Sequence, residues 1–189
     1  MPPKERLTKE VILSGAFELL RREGYEALNA RSLAGELGCS TMPLFRQFES
    51  MEEIRAGAVM RGVEQYSTYI QQGLQEEVPF KGVGRAYIRF AREEPKIFQL
   101  LFMTPKEKIS GLPETDPNYN VVAACATSAI HGSADKGARI YQQMWVFVHG
   151  IATMIVNGTN PWTDAQIGEM TGQVFAALKQ QEQREGGQV

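Results

Sequence analysis

Two cysteines and two histidines are all that the 189-residue chain offers of the residues that usually build metal and nucleophile sites. Cys39 and Cys125 cannot make a disulfide framework, and their spacing matches no zinc motif. No HExxH, GxSxG or P-loop string occurs. A di-iron bundle needs Glu three residues before each His, and Ser128 and Val146 occupy those positions. The pattern therefore points away from an enzyme and implies no metal and no cofactor. The longest nearly apolar run, 145–156, has 12 residues and contains His149, short of the roughly 20 that cross a membrane. Residues 1–10 carry Lys and Glu with no apolar core, so neither a span nor a secretory leader is expected. The expected location is the reducing cytosol, the cytoplasm.

Charge of one sign is missing as well. Twenty basic residues face 22 acidic ones for a net −2, so any grip on nucleic acid has to come from local geometry. Strand patterning is missing altogether: apolar residues recur at spacings of three and four from end to end. With 43% hydrophobic and 22% charged residues the chain reads as folded and all-α, with about nine helices.

Thr8 caps a first helix through residue 23, with Ile12, Ala16, Leu19 and Leu20 on one face and Gly24 as its stop. Asn29 caps a compact second helix over 30–37. Gly38-Cys39-Ser40 then turns the chain into a third over 41–47, with Ser40 as cap and Pro43 in the first turn. Ser50-Met51-Glu52-Glu53 is a capping box, with Glu53 expected to reach the Ser50 amide, and it opens a long helix that ends at Val78-Pro79. Further helices are expected over 81–94, 97–103, 120–130 and 136–157. A loop over 106–118 separates two of them. A last helix follows the capping box Thr163-Asp164-Ala165-Gln166. The expected division is a helix-turn-helix domain over 1–50, a helical body over 51–182 and a flexible tail over 183–189. Cys39 is read as packing, since a buried free cysteine behaves as a small hydrophobe.

Two short helices joined by Gly38-Cys39-Ser40 have the spacing of a helix-turn-helix, or equally of an ordinary αα-corner. As a DNA reader, Thr41, Met42 and Arg46 would face base edges, Met42 offering only apolar contact. Lys9, Arg31 and Gln47 would anchor phosphates. As a corner, the same residues would simply be solvated.

The residues around this turn carry a resemblance. Ala16, Leu19-Leu20, Gly24-Tyr25, Leu33-Ala34, Leu37-Gly38-Cys39-Ser40, Leu44-Phe45-Arg46-Gln47-Phe48 and Glu53-Ile54 together resemble the N-terminal domain of TetR/AcrR-family regulators, over about 8–55. Arg85-Ala86-Tyr87, Phe90-Ala91, Pro95, Phe98, Leu101-Phe102, Trp145 and His149-Gly150 resemble the WHG type of C-terminal domain in that family. The resemblance implies a ligand-responsive transcription regulator, typically a repressor released from its operator. Phe45 stands where the family usually has the Tyr of its recognition helix, and Met51 where it usually has Lys. The competing reading is a helical sensor of a ligand or protein without strong DNA binding.

Large aromatic and Met side chains gather in the body. Tyr87, Phe98, Phe102 and Met103 lie over 81–103, and Tyr141, Trp145 and His149 over 136–157, with Tyr66 on the long helix. They suit a pocket for a small apolar or aromatic effector of unknown identity, or a plain core. His149 could meet a ligand or satisfy a buried carbonyl. The helix over 136–157 is apolar on more than one side, with Phe147, Ile151 and Ile155 in one seam, so a partner subunit is expected to cover it. The family implies a homodimer that pairs the last two helices, which adds Ile167, Val174 and Leu178. Twofold symmetry would set two readers about 34–36 Å apart on a palindromic double-stranded operator.

Overall fold

The computed structural model describes residues 7–113 and 115–185, with eight α-helices and no strand among them. They form two compact units, 7–66 with 94–113 and 67–93 with 115–185.

In the first unit, α1 (Lys9–Glu23) is capped by the Thr8 hydroxyl, which accepts from the Val11 amide, and buries Ile12, Ala16, Leu19 and Leu20. A 3-10 turn, Tyr25–Ala27, leads to α2 (Ala30–Glu36). Asn29 Oδ1 accepts from the Arg31 and Ser32 amides, and Ser32 Oγ accepts from the Asn29 amide in return. Gly38 then takes φ +59°, which a side chain would resist. Beyond it the expected third helix over 41–47 is only a turn followed by one 3-10 turn, Leu44–Arg46. Pro43 supplies no amide, the Leu44 amide donates to Thr41 and Gln47 donates to Leu44, so the spacing is three rather than four. Ser40 makes no capping bond to this turn.

The long helix α3 (Met51–Leu74) begins as the capping box foresaw at one end only. Glu53 donates its amide to Ser50 Oγ at 3.1 Å, but its carboxylate accepts from the Glu49 amide at 2.7 Å instead of from Ser50. Also in the first unit, α5 (Pro95–Phe98) runs into a π-helical turn, Gln99–Met103. The expected loop over 106–118 contains a 3-10 turn, Lys106–Lys108. Arg21 of α1 donates twice, at 2.6 Å each, to Glu94, whose side chain is 2% exposed.

In the second unit, the end of α3 meets α4 (Pro79–Glu93) backbone to backbone: a Cβ on Gly73 would stand 2.6 Å from the Gly82 carbonyl oxygen. Pro79, expected to break a helix, opens one at a position where its missing N–H costs nothing. The helices α6 (Tyr119–Ile130), α7 (Ala134–Val156) and α8 (Asp164–Glu185) follow. The second capping box forms in full, since the Gln166 amide donates to Thr163 Oγ1 and the Thr163 amide to Gln166 Oε1. Phe90, Val122, Ala126, Ile140, Met144 and Ala152 lie in the core of this unit. Arg139 holds Glu182 near the end of α8 with two hydrogen bonds of 2.9 and 2.8 Å. Residues 183–185 continue α8, and the rest of the expected flexible tail, 186–189, lies outside the described residues. No described helix is long and apolar enough to cross a membrane.

Candidate functional site

The exposed edge of the first unit is built on two anchors. Leu44 (0% exposed) and Phe48 (5%) are buried, and they turn the rest of the 41–47 segment outward. Thr41, Met42, Phe45, Arg46 and Gln47 are all exposed. Two of them are large and apolar: Met42 is 64% exposed and Phe45 45%. Arg46 Nη2 rests 3.6 Å from Met42 Sδ, which ties the guanidinium to the thioether. Arg31 is exposed in the first turn of α2. Lys9, at the start of α1, lies 3.5 Å from a Glu53 carboxylate oxygen and 5.0 Å from the Phe48 ring centre. That leaves Lys9 partly neutralised. Cys39 is half-buried, with its amide donated to the Ala34 carbonyl.

The charge on this edge is distinctive. In the first unit, Arg21, Arg22, Arg55 and Arg61 each lie within 4.0 Å of a carboxylate. Among the described residues of this unit Arg31, in the first turn of α2, and Arg46, within the exposed segment 41–47, have no such partner. Exposed guanidiniums left uncompensated on α2 and on the protruding turn are suited to an external polyanion.

The residues expected to bind a ligand fall in two groups. Tyr66, Phe98, Phe102 and Met103 belong to the first unit, where Tyr66 and Phe98 pack on Phe102 with ring centres 5.0 and 5.1 Å apart. Tyr87, Tyr141, Trp145 and His149 belong to the second. There Trp145 stacks on His149 (4.9 Å, 12°), and the Tyr87 hydroxyl and His149 Nδ1 form a hydrogen bond of 3.0 Å. Burial pulls the His149 pKa down from its ordinary 6.5. Burial, with the charge of Asp116 adding to it, holds the Tyr87 and Tyr141 phenols protonated far above neutral pH. The cluster is therefore aromatic and uncharged at pH 7, though still able to hydrogen-bond. Sequence reasoning passed over Tyr119, which meets Tyr141 edge-on at 5.4 Å, and Asp116. Both sit at the end of a Pro- and Gly-containing loop, where no periodicity marks a side chain's direction.

Of the expected dimer residues, Ile151 and Ile167 are buried within the chain itself, at 4% exposed each. Phe147, Ile155, Val174 and Leu178 are half-buried. Val146, on α7, is 65% exposed.

Three short elements with an exposed, cation-bearing turn, followed by a helical body, define the class of helix-turn-helix regulators. Residues 12–58 match the family model described as bacterial regulatory proteins, tetR family. Residues 80–178, more than half the chain, match that of the Tetracyclin repressor-like C-terminal domain. The chain belongs to the TetR family of DNA-binding transcriptional regulators, whose members are not enzymes. It is also similar to Uncharacterized HTH-type transcriptional regulator Rv0681 of Mycobacterium tuberculosis (strain ATCC 25618 / H37Rv). The two are 23% identical over 188 residues, spanning 92% of this chain and 83% of the relative.

Proposed function

We propose that the protein is a cytoplasmic homodimeric repressor that grips a palindromic operator and releases it when a small aromatic molecule enters a WHG-type helical body. The observation that carries the DNA contact is the exposed turn 41–47 with the uncompensated Arg46 in it, together with the uncompensated Arg31 in the first turn of α2. In this reading Thr41, Met42, Phe45 and Arg46 meet base edges, and Arg31, Gln47 and Lys9 meet phosphates. Lys9 contributes least, because Glu53 already offsets its charge. The acidic net charge of −2 confines the attraction to this edge.

Trp145, His149 and Tyr87 support the effector reading. A stacked indole–imidazole face with a neutral hydrogen-bonding pair favours an uncharged aromatic ligand with a polar substituent. The half-buried Phe147, Ile155, Val174 and Leu178, with exposed Val146, support a face for a second copy. Ligand entry would act through α3, a single helix that runs from one unit into the other, by changing the separation of the two readers.

The test is binding of the full chain to duplexes from its own upstream region across a salt series. Operator binding predicts an affinity that falls steeply with salt, because each phosphate contact releases counterions. A flat response, or no binding at low salt, would remove the repressor reading and leave a helical sensor. Trp145→Ala is expected to blunt release by an active effector while leaving operator affinity intact; equal loss of both would instead indicate misfolding.

A further inference from the structure

We infer that Met42 and Phe45 form a two-pronged apolar probe that reads the C5-methyl groups of thymines in the operator's major groove. This rests on the DNA-binding reading above and adds what that site recognises. The two side chains are the exposed large hydrophobics of the segment 29–48, at 64% and 45%. They stand three residues apart on a path whose backbone bonds run from Leu44 to Thr41 and from Gln47 to Leu44. Both side chains are exposed, so the thioether and the ring stand on the solvent side of the segment. Leu44 and Phe48, buried at 0% and 5%, hold the opposite side in the core. The probe is thus presented on a fixed base rather than on a loose loop.

Its surroundings select the occupant. Arg46 Nη2 lies 3.6 Å from Met42 Sδ, so the apolar pair is bordered by a cation. An apolar protein surface would have to bury that guanidinium at a cost in desolvation, whereas a duplex meets it with phosphates. Inside the groove the thymine methyl is the largest apolar feature on a base edge, the other prominent edge groups being donors and acceptors. Phe45 has no hydroxyl to give to a phosphate, and Met42 has no donor at all. Both are suited to the methyl instead.

The experiment starts from duplexes enriched by the full chain from a random pool. In the best of them each thymine is replaced singly by deoxyuridine, which removes one methyl and leaves every hydrogen-bonding group in place. At one or two positions in each half-site the replacement is expected to weaken binding about threefold to fivefold, the worth of one methyl moved from water to an apolar contact. Met42→Ala or Phe45→Ala is expected to bind the thymine and deoxyuridine duplexes equally, while Met42→Leu keeps the preference. Because both side chains are exposed, thermal melts of these variants are expected to match wild type. Tight binding that ignores deoxyuridine everywhere, or a preference that survives both Ala substitutions, overturns the inference and leaves operator binding standing. A pool that shows no enrichment overturns both.

Discussion

A guanidinium that meets a buried carboxylate differs in energetic weight from one that meets an exposed partner. Glu94 is 2% exposed and takes two short hydrogen bonds from Arg21, whereas the Arg22–Glu36 pair stands in solvent. Arg21→Ala strands a carboxylate in the core and is expected to cost about 3 kcal/mol, the low end for such a break because the guanidinium itself is half-exposed. Arg22→Ala is expected to leave stability close to wild type, because solvent screens the exposed pair. Denaturant unfolding of the two variants checks the contrast. His149 makes a pH statement of definite sign. Its folded pKa lies below 6.5, so as pH falls through 6.5 the unfolded chain takes a proton that the folded chain refuses. Stability is expected to decline from that point downward and to level off once the folded imidazole is protonated. Melting temperatures over pH 8 to 5.5 should show a shallower slope in His149→Gln.

Elements whose ends are set by side-chain caps were legible residue by residue. Thr8, Asn29 and the Thr163–Gln166 box form the bonds that their spacing implied. Elements set by backbone bonding order were not: the 3-10 turn at Leu44–Arg46 and the π-helical turn Gln99–Met103 carry ordinary helical residues, and nothing in composition separates a bond to the third residue from one to the fourth or fifth. Helix crossings were equally hidden. Gly73 and Gly82 let α3 and α4 touch backbone to backbone, which no local pattern announces. Gly82→Ala would drive its Cβ into the Gly73 carbonyl oxygen. The loss is expected to be about 2–3 kcal/mol, measurable by thermal unfolding, since neither helix backbone can yield as a side chain would.

For the whole molecule, a net charge of −2 repels a duplex at long range, so the attraction is concentrated at a few places. Arg31→Ala is expected to make the salt dependence of operator binding shallower by about 0.9 in log–log slope for each phosphate that Arg31 neutralises, with sequence preference unchanged. Fluorescence anisotropy at several salt concentrations would measure it. Light scattering is expected to return twice the 21.1 kDa subunit mass at micromolar concentration. A monomer there would leave the half-buried apolar residues of α7 and α8 without the second copy proposed to cover them.

Periodicity and caps decided from the sequence alone that the chain is helical, where most helices begin, and that 29–48 forms a paired-element turn, because these depend on neighbours within four residues. Folding decided how far the side chains that the sequence already turns outward are exposed. Leu44 and Phe48 find a core, so Met42, Phe45 and Arg46 are left outside. It also decided which arginines keep their charge for a partner, since an ion pair such as Arg21–Glu94 joins residues far apart in the chain. Neutralisation and burial depend on distance in space, and that is set only when the elements pack.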